Sequence, residues 1–149
     1  MEKTTRELED ILLNSHSDQI DDYFLDESKE LLNTSFGDYF RDTLLTKKIT
    51  QQSLFTNADI SDKYGYKLIS GEKHTNQRDV IIRLCYAGDF TLVETQRALK
   101  LYGMAPLYAR IKRDALLITA FNEKKKNIID LNHYLKKNGE KPLKGTGKE

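Results

Sequence analysis

Side chains with intrinsic reactivity are few in this chain, and they are scattered. Its single thiol, Cys85, sits in the apolar run Val80, Ile81, Ile82, Leu84, Cys85, where a cysteine serves as a small buried hydrophobe and an intramolecular disulfide has no partner. His16, His74 and His133 fall in different segments, none with a second ligand three or four positions away, so a metal site is not expected. Carboxylates are abundant, but no nucleophile elbow, phosphate-binding P-loop or dinucleotide fingerprint accompanies them. The glycine-rich end Lys144, Gly145, Thr146, Gly147, Lys148 follows a predicted helix instead of a strand and reads as a flexible tail over 144–149. Together these residues predict no enzymatic activity, no cofactor and no metal.

What remains is the chemistry of charge. The chain has 24 Lys and Arg against 23 Asp and Glu, but residues 1–35 hold only 3 of the former and 10 of the latter, a net of −7, leaving 21 against 13, a net of +8, in the rest. A basic body suits a polyanionic partner, and an acidic arm must point away from that partner or fold over the basic surface.

The elements that carry these charges read as helices. Two prolines and eight glycines in 149 residues are too few turn signals for a sandwich or barrel, so the fold class is all-α. In the arm, Leu8, Ile11, Leu12 and then Ile20, Tyr23, Phe24 mark two short amphipathic helices. Phe36, Tyr39, Phe40, Leu44 and Leu45 form the apolar stripe of a first core helix ending near Lys47 and Lys48, where cations suit the C-terminal dipole. Thr50 caps a second helix over 51–57, and Ser61 caps a third that runs to about residue 70 and is closed by Gly71. A polar stretch, 72–77, leads to a fourth helix over 78–87 that Gly88 ends.

Beyond it lies an internal repeat. Arg78, Asp79, Val80, Ile81, Ile82 returns as Arg113, Asp114, Ala115, Leu116, Leu117, and the stretch 91–107 returns as 127–143, with Leu99/Leu135, Lys100/Lys136, Gly103/Gly139, Pro106/Pro142 and Leu107/Leu143 coinciding. Each copy is expected to be a helical hairpin closed by a left-handed glycine and a proline. Two copies are fewer than the three or so that a free-standing array needs, so the second should pack on the first.

The residues Thr50, Gln51, Leu54, Ile60, Ser61, Tyr64, Leu68 and Gly71, followed by the helix at 79–86 and by Gly88, Asp89, Phe90, Thr91, resemble the Cro/C1-type (XRE, lambda-repressor-like) helix-turn-helix family over about 36–90. Tyr64, Gly65, Tyr66, Gly71, Arg78, Asp79 and the run from Leu101 to Tyr108 look like small helix-turn-helix proteins of Gram-positive bacteria that carry the same helical extension, which would carry the match to about Leu143. The resemblance implies a five-helix module over 36–107, to which the charge pattern adds an acidic helical arm at 1–35 and the repeat a second hairpin at 108–143. It also implies a third helix whose first half enters the DNA major groove while the second lies across the backbone. By the same resemblance Gln51 meets a phosphate or base edge, Ser61, Asp62, Lys63, Tyr64 and Lys67 occupy the recognition helix, and Lys73, His74 and Asn76 lie in a loop that touches phosphates, contacts that fix register.

Three positions depart from the family pattern: Phe55 replaces a small alanine, Asp59 the turn glycine, and Gly65 a β-branched residue. A ring at Phe55 needs the volume that Gly65 vacates, so Phe55 is expected to pack over Gly65. Asp59 tolerates the left-handed conformation better than most residues. Asp62 puts a carboxylate on the face that the resemblance turns to the groove, where it repels phosphate and accepts only from a base donor such as cytosine N4.

The expected function is a sequence-specific DNA-binding regulator acting as a homodimer on double-stranded DNA. The competing expectation is a protein-interaction or autoinhibited module, its partner held by the acidic arm or the hairpins. No leader pattern opens the sequence and no apolar run nears the roughly 20 residues a bilayer span needs, so a cytoplasmic chain without membrane contact is expected.

Overall fold

The computed structural model describes residues 35–123 and 127–145. The two helices expected in the acidic arm, and the tail beyond Gly145, lie outside the described residues. Among these residues the structure is all-helical: α1 Phe36–Lys47, α2 Gln51–Ala58, α3 Asp62–Ser70, α4 Arg78–Ala87, α5 Leu92–Leu101, α6 Lys112–Glu123 and α7 Ile128–Lys137.

Local chemistry starts and stops these helices. The hydroxyls of Ser35, Thr50 and Ser61 accept from the backbone N–H three residues on, in α1, α2 and α3 respectively, supplying partners for amides that a helix start leaves orphaned. Thr91 and Glu94 close a reciprocal capping box at the start of α5. At the other ends, Lys48 (φ 60°), Asp59 (φ 57°) and Gly71 (φ 85°) turn left-handed.

One departure from expectation lies in α1. Leu45 is 74% exposed, while Thr43 is buried. A helix turns about 100° per residue, and the stripe Phe36, Tyr39, Phe40, Thr43, Leu44 already covers the core-facing arc. Thr43 enters the core because its hydroxyl donates to the Tyr39 carbonyl at 2.8 Å.

The centre of the molecule is α4, on which Val80 to Cys85 are all buried. It packs against α2, α5 and α7, and its three charged residues, Arg78, Asp79 and Arg83, are each spent on hydrogen bonds to neighbouring segments. The apolar core is continuous from Phe36 to Leu143. Cys85 is wholly enclosed, and burial pushes its thiol well above the usual range.

The repeat takes a different form from the one expected. Each copy of the 17-residue stretch is one helix, α5 or α7, followed by an extended return, and the hairpin is completed by the preceding helix, α4 or α6. Gly103 (φ 82°) and Gly139 (φ 79°) make the turns. The returns are then held by amide side chains: Leu107 N–H donates to Gln96 at 2.7 Å and Leu143 N–H to Asn132 at 2.8 Å.

The two hairpins are fastened by exchange. Arg113 donates to both carboxylate oxygens of Asp79, at 2.8 and 2.9 Å, and Arg78 donates to Asp114. Asp79 also accepts from the N–H of Lys144 and Asp114 from that of Tyr108. Each arginine further reaches carbonyls of its own hairpin's return, Arg78 at Ala105 and Pro106, Arg113 at Lys141 and Pro142. Bidentate, charge-assisted contacts of this kind are among the stronger hydrogen bonds.

Burial alone would raise the Asp79 carboxyl, but the Arg113 hydrogen bonds, the Lys144 N–H and the charges of Arg113 and Arg78 outweigh it and hold the group below its ordinary 3.8. Asp79→Asn is expected to lower the unfolding free energy at neutral pH by roughly 1.5–3 kcal/mol, the range for hydrogen bonds to charged groups. A carboxyl whose folded value is depressed contributes stability above its unfolded value and loses it as the pH falls through the folded one. Urea titrations should therefore show the gap between the native chain and D79N closing below the ordinary 3.8.

Candidate functional site

Between α2 and α3 the chain reverses in three residues, Asp59 to Ser61. Asp59 takes the left-handed conformation at φ 57°, the Ile60 N–H donates to the Phe55 carbonyl at 3.0 Å, and the Ile60 side chain is buried. A positive-φ cap followed by an apolar plug fixes the exit direction of a helix, and α3 leaves at an angle set by that turn.

What sets the separation of α2 and α3 is a ring. Phe55 is fully buried and lies flush against Gly65, where a Cβ would fall inside the van der Waals surface of its Cδ1, Cε1 and Cζ. The expected pairing of Phe55 with Gly65 is present. The same ring meets Tyr66 edge to face, centroids 5.0 Å apart at 80°.

Among the expected contact residues, five come together. Ser61, Lys63, Tyr64, Lys67 and Lys73 line a shallow pocket of about 220 Å³ on the outer side of α3. Ser61 is the N-cap, accepting from Tyr64 N–H at 3.3 Å. Lys63 and Lys67 are one turn apart on the same face. Lys73 arrives from the loop because Gly71 folds the chain back, so that Lys73 N–H donates to the Lys67 carbonyl at 3.0 Å. Its Nζ then lies 5.9 Å from the centroid of the Tyr64 ring, within cation–π range.

Tyr64 plays a different part from the one expected of a contact residue. It is 7% exposed, so its ring is a wall of the core that closes the floor of the pocket beneath Lys73. Position explains this: Tyr64, Leu68 and Gly65 lie on the inward arc of α3, and Asp62, Lys63, Tyr66, Lys67 and Ser70 on the outward one.

The remaining expected residues stand apart from the pocket. Gln51 is half-buried at the start of α2, and Asp62 is exposed in the first turn of α3. His74 stacks on Tyr102, centroids 4.5 Å apart and 17° from parallel, and so lines a second pocket of about 310 Å³ with Phe36, Arg41 and Ser70. Asn76 is exposed and lines neither. The loop itself is pinned at Thr75, buried, whose N–H donates to the Tyr102 hydroxyl at 2.9 Å. The end of α5 thereby places Lys73.

Tyr66 is absent from the sequence-based set of contact residues, yet it is 47% exposed in the middle of the outward face. Its spacing was the available signal, four residues after Asp62 and three after Lys63.

Among the described residues no group of His, Cys, Asp and Glu side chains is placed to hold a metal ion, and no helix is long and apolar enough to cross a membrane. Comparison of the chain with protein families, with curated proteins and with solved structures finds no match.

Gly65→Ala in an open helix would add about 1 kcal/mol of helix stability. Here the added methyl meets the Phe55 ring, so the variant is expected to lose roughly 1–3 kcal/mol, as overpacking does. Thermal unfolding should also show the same substitution to be neutral or stabilising in a Phe55→Ala background, where the ring is gone.

Proposed function

We propose that the chain is a DNA-binding regulator built on a Cro/C1-type helix-turn-helix module, with α2 and α3 as the helix pair and α3 lying in the major groove. The observation that carries this reading is the convergence of Lys63, Lys67 and Lys73 with Ser61 on one pocket at the outer side of α3. Three ammonium groups and a helix start suit a backbone phosphate, which attracts cations and backbone N–H dipoles alike. A tight turn and a ring-set helix separation support the same reading, because a recognition helix works only when its angle is rigid. The regulator acts as a homodimer, since one nine-residue helix reads too few base pairs alone. It works in the bacterial cytoplasm and performs no catalytic step.

A protein-binding role for the second hairpin has its own observation. Ile129 on α7 is 67% exposed, and Tyr108 and Ile111 on the link into α6 are 54% and 51% exposed. Tyr108 and Ile111, three residues apart on that link, offer apolar contact area to a protein partner.

Anisotropy titrations of the full chain on a duplex of mixed sequence, across a salt series, test the DNA reading. Affinity should fall steeply with salt, and Lys63→Gln, Lys67→Gln and Lys73→Gln should each reduce the slope of log K against log salt by about one. Absence of binding, or binding that neither salt nor these substitutions change, would reject it.

A further inference from the structure

The outward face of α3 divides into two strips. Lys63 and Lys67 lean to the side of the pocket that Ser61 and Lys73 complete. Asp62, Tyr66 and Ser70 follow one another at four-residue intervals on the other side and line no part of that pocket. The strips differ in chemistry as well as position. The lysine strip attracts phosphate, whereas the Asp62 carboxylate repels it and accepts only from base amino groups.

Tyr66 occupies the middle of the second strip, and its placement is locally costly. Gly65 and Tyr66 are adjacent, both weak helix formers, in the centre of a nine-residue helix, and nearly half of the tyrosine is in water. Rules of local preference are commonly broken where a surface has work to do. The compensation is on the far side of the ring. Phe55 presses on Tyr66 edge to face from the space that Gly65 leaves open, so Tyr66 stands outward with little rotamer freedom left to lose on binding.

Resting on the DNA-binding reading above, we infer that Tyr66 is a specificity-determining residue whose ring packs against the 5-methyl group of a thymine in the major groove, while the Lys63, Lys67 and Lys73 pocket seats a phosphate beside it. The major groove offers the thymine methyl as the apolar feature that an aromatic ring recognises. The phosphate strip sets register and the tyrosine strip reads bases, so loss of either leaves a different signature.

The test starts from a random-sequence duplex pool selected with the full chain. In the selected duplex each thymine is replaced in turn by deoxyuridine, which removes only the methyl, and the duplexes are titrated with the native chain, Tyr66→Phe and Tyr66→Ala. Tyr66→Ala should bind the selected duplex about tenfold more weakly with an unchanged salt slope. At one thymine, deoxyuridine should weaken the native chain and Y66F about fourfold, the worth of one buried methyl, and leave Y66A unaffected. Y66A should keep the native circular dichroism but melt a few degrees lower, because it gives up the contact with Phe55, whereas Y66F should melt as the native chain does; the titrations are run well below both transitions. If Y66A selects and binds the same duplex as the native chain, or if deoxyuridine weakens both alike at every position, the assignment of Tyr66 is overturned while the lysine slopes still stand. If no duplex is selected and the lysine variants behave as the native chain does, the DNA reading and the Tyr66 assignment fall together.

Discussion

The guanidinium of Arg83 joins parts of the molecule that the chain leaves far apart. It donates to the Ala58 carbonyl at the end of α2, at 3.1 Å, and to the Leu143 carbonyl at the end of the second hairpin, at 2.8 Å. Arg83 is itself buried on α4, between Ile82 and Leu84, and burial lowers its pKa although the carboxylates of Asp59 and Asp79 counter that. A cation at the end of α2 also meets the negative pole of that helix. Every neighbour of α4 takes its place against a helix with no free side, and Arg83 ties the exit of α2, from which the turn into α3 departs, to that same support.

Aromatic contacts carry this rigidity outward to the surface. Phe55 spaces α2 from α3 by lying in the room that Gly65 vacates. Tyr102, at the end of α5, holds the loop after α3 through the Thr75 N–H and stacks beneath His74. The basic pocket is thus assembled from three directions: the cap of α3, its outward face, and a loop positioned by the first hairpin. Neither Phe55 nor Tyr102 touches a ligand in the proposed reading, and each determines where a lysine stands.

Local features of the fold were open to a reader of the sequence because their causes are local. Thr50 and Ser61 cap, Gly71 turns and Asp59 adopts positive φ through chemistry confined to a few residues, and the Phe55 and Gly65 pair could be inferred from complementary volume. Features set at long range were hidden. Leu45 and Leu44 are both apolar and adjacent, and only the packed core decides which faces inward. Tyr64 fits a contact pattern by spacing, yet the wall it forms depends on where α1 and α2 lie. His74 was grouped with Lys73 by the family's loop, and both line the second pocket, but stacking on a tyrosine 28 positions away leaves His74 out of the basic one. The duplicated Arg-Asp pair was visible in the sequence, but its partners were not, because each member binds the opposite copy.

That reciprocity has a consequence for assembly. Repeats stacked by translation, as in solenoids, present one face forward and a different one behind, so every added copy leaves a fresh surface for the next. Here Arg78 meets Asp114 and Arg113 meets Asp79, a swap that uses the same patch on both members. Such an isologous join is self-saturating. The duplicated unit therefore closes after two: once Arg78 and Arg113 have exchanged carboxylates, neither copy has the matching pair left to offer a third through this face.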